Sequence, residues 1–581
     1  MSKRYRRYIY FTSFVLACYL FAVLYAAYLQ GTVFYYGLVL LLPGGALIWY
    51  LLGKMRYAAI VEELAAMWGK ASKRDRDFRD LTRMSTLFPV QTQTETIISP
   101  QTKEDLHIDL LYSLVDRTLT TPGAQVLYNM LQRPLFDTER LAQRGEMIRL
   151  FDTNSPLRKK LRIRLRQLNR QDADTVTNLI WDEEMQPASL GYLPTVLACL
   201  ALVAVVSPFI IGFKGVFYGI FPMFAINFLY THKKSARMMI SLPAIRYMNS
   251  FILAAGDLAQ LTAESLPDYA AELAAGVQQC KGLLRKTHHN ILRLLDAFGL
   301  YDYVNYLFLL ELRRFEASMV IISRKREHLQ QLYSLVGELD ALLAVTSLRA
   351  GQAAWVEPEL VTEQCFISTE EIYHPLLEHP VSNSVQLQKP GSILTGSNMS
   401  GKSTFLRTIG VNALFAQTIY TCFAKSYRAS YFSIVTSINK DDYLPGGKSY
   451  FLSEAEAILA MINNRADHVA SLCIIDEIFR GTHSLERIPA AIEVLRYLAK
   501  QNTLSVIATH DLEVAKACIA TYSLYHFSER VGEEGLEFDY LLKKGLTTSW
   551  NAIRILKHLG FPAEIVDRAT ATVDKDIKSS S

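Results

Sequence analysis

The feature that most restricts this chain is Gly396-Ser-Asn-Met-Ser-Gly401-Lys402-Ser403, a fit to G-x-x-x-x-G-K-[ST]. A short apolar run, Ser392–Leu394, precedes it, and a helical segment, Thr404–Tyr420, follows. Strand, glycine loop and helix in that order demand an α/β layer, because the loop's N–H groups must surround an anion at a positive helix end. In such a loop Lys402 reaches the β- and γ-phosphates of a nucleotide, and the Ser403 hydroxyl ligates Mg²⁺. Two further apolar runs end in chemistry. Leu472–Ile475 leads into Asp476 and Glu477; the first suits Mg²⁺ held through water, the second the orientation or deprotonation of an attacking water. Leu504–Ala508 leads to His510, placed to sense a γ-phosphate. Each motif alone is common in structural roles. Three strand ends in this order point to one nucleotide engine on a partly parallel sheet.

The other end of the chain has a different character. From Tyr8 to Gly53 there is no Asp, Glu, Lys or Arg. Residues 9–29 and 33–52 each approach the ~20 residues that span a bilayer core, and the turn Gln30-Gly31-Thr32 joins them. A second uncharged pair, 194–213 and 216–230, is interrupted only by Lys214-Gly215. A charge at mid-bilayer costs roughly 2.5–3.5 kcal/mol on insertion scales, so its omission is informative. A cleaved signal peptide does not fit two successive long apolar runs; buried core helices remain an alternative, chiefly for the second pair with Pro208 and Pro222. Lys3, Arg4, Arg6 and Arg7 precede the first run, Lys54 and Arg56 follow the second, and Lys233, Lys234 and Arg237 follow the fourth. The positive-inside rule then predicts four spans of a bacterial-type inner or plasma membrane, with both termini and the nucleotide domain cytoplasmic.

Between and after these runs the pattern is helical. Ala58–Arg83 carries Ile60, Leu64 and Met67 on one stripe, Leu106–Leu168 is Leu-rich, and Ser241–Arg349 is nearly all helix, with Tyr303–Ser347 readable as one long helix. The net charge of +5 balances 61 basic against 56 acidic residues, so nothing global demands a polyanionic partner. Locally, residues 70–83 and 158–171 are basic runs that could meet phosphates or an anionic membrane surface. The seven cysteines, at 18, 199, 280, 365, 422, 473 and 518, form no CxxC pair, which argues against a zinc site or a disulfide framework.

The motifs together resemble one family. "TGSNMSGKSTFLRT" resembles the Walker A segment of MutS-type mismatch-repair ATPases, with Asn398 and Met399 inside the loop distinctive. "IIDEIFRGT" resembles their Walker B segment and "DDYLPGGKSYFLSE" their signature segment; "YHPLL", 373–377, resembles the opening of their ATPase domain, and 545–569 its closing helices. Residues 110–135 and 336–360 resemble the core domain and the end of the lever helix. The resemblance implies a C-terminal α/β P-loop ATPase domain of ABC type, an all-α core and lever region, ATP and Mg²⁺ as cofactors, and a homodimer with composite ATP sites. It implies Glu477, His510 and Lys402 as catalytic residues and Ser403 and Asp476 as metal ligands. Nucleotide contacts fall on Gly396, Ser397, Asn398, Met399, Ser400, Gly401, Lys402, Ser403 and Thr404, and on Ser449 reaching the partner's nucleotide; the family's adenine-packing aromatic is replaced around Pro380–Val381, and Tyr540 could supply a stacking face instead. The expected organisation is a membrane hairpin at 1–57, core helices at 58–189, a second hairpin at 190–232, lever helices at 233–360 and the ATPase domain at 361–575.

Departures matter. No mismatch-reading domain precedes residue 106, no Phe-x-Glu wedge is found, and Phe479 stands where the family usually has glycine. The expected function is a membrane-anchored MutS-like ATPase that binds DNA, mismatched or distorted, and couples ATP hydrolysis to its helical levers. The alternatives are an ATP-driven membrane scaffold without DNA binding and an ABC-type transporter ATPase. The last needs an LSGGQ-type signature and more spans in one block.

Overall fold

A computed structural model describes residues 2–30, 36, 38–39, 41–71, 78, 81–82, 97–168, 173–181, 192–287, 301–362, 364–397, 400–438, 450–463, 469–480, 482–532, 535–546 and 560–580. The chain divides into two compact units: Met1–Asp75, Arg117–Gln125 and Phe151–Gly351 form the first, and Arg76–Asp116, Val126–Leu150 and Gln352–Ser581 the second.

The first unit is helical. Its main elements are α1 (Ser2–Gln30), α2 (Leu41–Met67), α3 (Ser155–Leu168), α4 (Leu193–Ile211), α5 (Phe221–Thr262) and α6 (Arg326–Ala350). Among the described residues two helices are long and apolar enough to cross a membrane, by length and composition alone: Tyr5–Leu29 within α1, and α4. The other two expected spans do not take that form. The turn at 30–32 and the start of 33–52 lie largely outside the described residues, and only Leu41–Gly53 of α2 precedes Lys54. Segment 216–230 is divided between a π-helical turn, Val216–Ile220, and α5, which continues unbroken to Thr262. The four-span reading contracts to two candidate helices.

The single long helix expected over 303–347 is three: Tyr301–Phe308, Leu310–Arg324 and α6. Leu309 breaks the first junction with φ of 52°. The Asn305 side chain there accepts the Glu311 amide at 2.8 Å, offering the backbone a local alternative to the helix ladder. At the second junction Lys325 leaves helical geometry with φ −114° and ψ 20°.

The basic run 158–171 also reads differently in three dimensions. On α3, Leu157, Leu161, Leu165 and Leu168 are buried on one stripe. The charges between them are spent inside the unit. The Arg158 and Arg162 guanidiniums lie 4.5 and 4.7 Å from the Trp68 ring centre, Arg164 pairs with Asp257 at 2.6 Å, and Arg166 with Glu63 at 3.0 Å. Of the helix's basic residues only Lys159 and Lys160 are exposed; the four arginines are half-buried. The other run, 70–83, lies mostly outside the described residues.

A buried carboxylate ties this unit together. Asp340 of α6 is 1% exposed. It accepts the amides of Leu119 (3.0 Å) and Thr120 (2.8 Å) and the Thr120 hydroxyl (2.7 Å), whose oxygen in turn accepts the Gly123 amide at 3.0 Å and caps the helix that starts at Thr121. Gly123 permits the approach: a Cβ there would stand 2.1 Å from the Asp340 carboxylate.

The second unit is α/β. Its strands are β1 (Glu359–Val361), β2 (Phe366–Ile372), β3 (Asn383–Gln388), β4 (Gly391–Thr395), β5 (Ser426–Ser430), β6 (Phe432–Ser437), β7 (Ala470–Asp476), β8 (Thr503–Ala508), β9 (Ser523–Gly532) and β10 (Gly535–Lys544). A six-stranded sheet has the order β10-β9-β4-β8-β7-β6, with every pair parallel except β10–β9. A four-stranded sheet, β1-β5-β2-β3, accompanies it. Strands β4 and β8 are buried at every residue and β7 at all but Asp476. That is why they read as continuous apolar runs rather than alternating ones: a parallel sheet buries both faces. The helices α7 (Lys402–Thr418), α8 (Tyr450–Asn463) and α9 (Ser484–Lys500) complete the layers, and α7 is buried on almost all sides.

Candidate functional site

Three parallel strands end together. Leu394 of β4 and Asp476 of β7 both stand opposite Ala508 of β8 in the register. Beyond the strands the chain ends stay stitched: the Thr509 amide donates to Leu394 O and the Glu477 amide to Ala508 O, both at 2.9 Å. Ligands of open α/β sheets bind outside such carboxyl ends. A cavity of about 730 Å³ opens there, lined by Gly401, Lys402, Ser403, Asp476, Glu477 and Tyr540 among others.

The loop after β4 is built on glycine conformations. Gly396 has φ of +144° and Gly401 +105°. A Cβ on Gly396 would stand 2.9 Å from Phe527 O, so only glycine fits that turn without displacement. Lys402, at the first turn of α7, folds back and donates to the carbonyls of Gly396 (2.8 Å) and Ser397 (2.7 Å). Burial lowers its pKa, while Asp476, Glu477 and Glu529 act in the opposite sense. Ser397 donates to Glu529, and Ser403 donates to Asp476. Burial raises the Asp476 pKa and Glu477 adds to the rise, while Ser403 and Lys402 oppose it.

Glu477 and His510 meet at 2.8 Å through Nδ1. That hydrogen bond is the main reason the Glu477 pKa falls and the His510 pKa rises, so the pair is a charged one. Arg480 adds a second cation 3.2 Å from Glu477, and Asp511, itself paired with Arg487 at 2.9 Å, faces the other side of the imidazole at 3.7 Å. A carboxylate held below the normal range is a weak proton acceptor and a strong orienting group. Glu477 is therefore equipped to aim a water rather than to store its proton.

The residues fit a nucleotide with Mg²⁺. The Ser400 hydroxyl, 2% exposed, has no hydrogen-bond partner among the described residues and lies in the loop. Ser403 and Asp476 set a hydroxyl and a carboxylate side by side, a hard oxygen pair suited to a metal that keeps most of its ligands from water and phosphate. Among the described residues no cluster of three or more His, Cys, Asp or Glu side chains forms a closed metal cage.

Of the residues singled out from sequence, Gly401, Lys402, Ser403, Thr404, Asp476, Glu477 and Tyr540 line this one cavity. Gly396, Ser397 and Ser400 complete the described part of its loop, and His510 reaches it through Glu477. Asn398, Met399 and Ser449 lie outside the described residues. Tyr540 sits in a bulge of β10 with φ of 53°, its ring 3.2 Å from where a Gly401 Cβ would be. Its face is thus presented next to the loop.

Three residues carry roles that the sequence motifs did not assign. Asn383 donates to Tyr540 O at 3.0 Å and accepts the Leu542 amide at 2.7 Å, pinning the Tyr540 bulge. His374 is buried in the cavity wall, its pKa pushed down to about 4 by burial with Arg407 and His107 nearby. Glu454 on α8 is 3% exposed and accepts the Arg480 amide at 3.2 Å. His374 stands in the segment "YHPLL" and Glu454 at the end of "DDYLPGGKSYFLSE", both noted for resemblance and neither given a role; Asn383 left no signal.

Comparison with known proteins agrees with this architecture. A family model for MutS domain V matches residues 392–576, and one for MutS domain III matches residues 90–346. The DNA mismatch repair protein MutS of Aquifex pyrophilus is 32% identical over 246 residues, 41% of this chain and 28% of that protein. The proteins of the same description from Thermus aquaticus and Natronomonas pharaonis are each 29% identical, over 43% and 45% of this chain and 30% and 31% of theirs. The matched region spans about three tenths of the length of these relatives. With two successive domains of one family matched, and the second carrying the strand-end cavity, the chain belongs to the MutS family.

Proposed function

We propose that this chain binds ATP with Mg²⁺ and hydrolyses it at the cavity beyond β4, β7 and β8. The observation that carries the reading is the convergence of Lys402, Ser403, Asp476 and Glu477 on that cavity, with His510 on Glu477. Lys402 leaves its two loop carbonyls to hold the β- and γ-phosphates. Ser403 and Asp476 hold the metal, which supplies positive charge against the phosphates. Glu477, fixed by His510, aims the attacking water, and Tyr540 offers a ring face to the nucleotide. Catalysis here is positioning and charge stabilisation, as phosphoryl transfer requires.

The same reading includes a homodimer and DNA as the ligand moved by the engine, the mismatch-repair description of the relatives supporting it. It includes a membrane anchor in α1 and α4, supported by their length, composition and exposed side chains. The decisive experiment is ATP turnover by detergent-solubilised protein alone, with homoduplex DNA and with heteroduplex DNA. Turnover that rises with DNA, and binding that weakens steeply with salt, support the DNA reading. A second reading, an ATP-driven membrane scaffold without a DNA grip, is favoured by one observation: the arginines of α3 are committed to Trp68, Asp257 and Glu63. Turnover indifferent to DNA, with no duplex binding at low salt, selects it. No turnover and no nucleotide binding refutes both.

A further inference from the structure

The turn that carries Glu477 is strained. Glu477 has φ of 63° and Phe479 φ of 58°, conformations that L side chains adopt at a cost and keep only where surroundings impose them. Strand β7 fixes one end of the turn through the Glu477 amide on Ala508 O. The other end is held by α8 at two points. The buried Glu454 carboxylate accepts the Arg480 amide at 3.2 Å, and the Phe451 ring packs on the Phe479 ring, centres 5.6 Å apart. Ile458 and Met461, further along the same helix, are buried with Ile478 and Phe479 in one apolar cluster.

We propose that Glu454 and Phe479 are positioning residues for Glu477: α8 clamps the strained turn at the Arg480 amide and the Phe479 ring, and so sets where the Glu477 carboxylate points. The proposal rests on the ATP-hydrolysing reading above and adds a mechanical link to it. A shift of α8 along its own axis moves the Arg480 amide and the Phe479 ring together, and Glu477 is two to three residues away on a backbone with no slack. The carboxylate then leaves or enters alignment with His510 without any change in the phosphate loop. Geometry of this kind acts on rate rather than on affinity, because a misplacement near 1 Å in a reacting group is felt mainly in the chemical step.

The test is steady-state ATP turnover, with binding of a labelled non-hydrolysable ATP analogue, on the full chain. Wild type and Lys402→Ala come first: turnover in the former and its loss in the latter are required by the parent reading, and their failure refutes that reading separately. Given them, Glu454→Ala is expected to lower kcat about 10- to 100-fold, with KM and analogue affinity within about threefold. Glu454→Gln restores most of the rate, since its carbonyl accepts the same amide. In the double variant with Glu477→Gln, the Glu454→Ala loss disappears instead of multiplying, which a general loss of stability would not produce. Wild-type kcat in Glu454→Ala, failure of Gln to rescue with analogue binding intact, or multiplicative losses each overturn the proposal. Should Glu454→Ala not bind the analogue, Phe479→Gly decides. Glycine accepts the turn's φ freely but empties part of a buried cluster, so analogue binding is the folding control; a fall in kcat with binding retained supports the clamp, and an unchanged kcat sinks it.

Discussion

Asp340 in the helical unit and Asp476 with Glu477 in the α/β unit are all buried or nearly so, and they behave as opposites. Asp340 accepts from donors supplied by its own chain, two amides and a hydroxyl among them. Asp476 has one hydroxyl, from Ser403, and its pKa is pushed up because burial outweighs what its neighbours return. Glu477 faces the cavity with His510 and Arg480 as side-chain partners. A carboxylate satisfied by backbone amides holds a fold together; one left short of donors, beside an open volume and a lysine, is prepared for a ligand. Burial by itself distinguishes nothing, and the identity of the donors distinguishes the two.

The largest effect expected from this contrast is at Glu477. Glu477→Gln should lower ATP turnover about 10²- to 10⁴-fold while nucleotide binding persists, measured by turnover and analogue binding on one preparation. Wild-type turnover in that variant would place the contrast's functional half elsewhere. Next comes Asp340→Ala, which strands several buried donors. At roughly 1–3 kcal/mol for each unsatisfied group, unfolding should become easier by about 3 kcal/mol or more. Analogue affinity measured well below the melting temperature should be unchanged; a selective loss of affinity would erase the distinction.

The pH profile gives a smaller effect of defined sign. His510 is raised above its ordinary 6.5, so its contribution is complete below pH 6.5 and is lost as pH rises through the folded-state pKa. Glu477 is lowered below its ordinary 4.5, so its contribution is present above pH 4.5 and is lost as pH falls through the folded-state pKa. Turnover and melting temperature should therefore share a plateau between about pH 4.5 and 6.5 and decline on the alkaline side. The alkaline decline should flatten in His510→Gln. The smallest effect is at Tyr540. Replacing its ring with Ala should raise KM by roughly 2- to 10-fold, a stacking contribution of about 0.5–1.5 kcal/mol, and Phe should preserve it.

Much of the α/β unit was legible because its chemistry is local. The glycine loop, the acidic strand end and the histidine each announce themselves within a few residues, and parallel strands buried on both faces read as apolar runs. What was hidden depends on distant partners. Asn383 matters because β10 bulges toward it, and Glu454 because the Glu477 turn doubles back under α8. The helical unit misled for a related reason. Composition showed which segments were apolar, but not that 216–230 would run on into a 42-residue helix. It showed α3 as basic, but not that Trp68, Glu63 and Asp257 were waiting for its arginines. A helix break such as Leu309 carries no glycine or proline to announce it.

Lys402, parked on the carbonyls of Gly396 and Ser397, has one more consequence. An incoming anion meets an ammonium already engaged, so association is a swap of partners, and its net gain is the difference between new and old contacts. On the ATP-binding proposal, chloride or a single carboxylate would offer too little to dislodge the side chain, whereas a polyphosphate would replace both carbonyls and recruit the loop amides as well. Selectivity against small anions would then follow from the resting posture of one side chain.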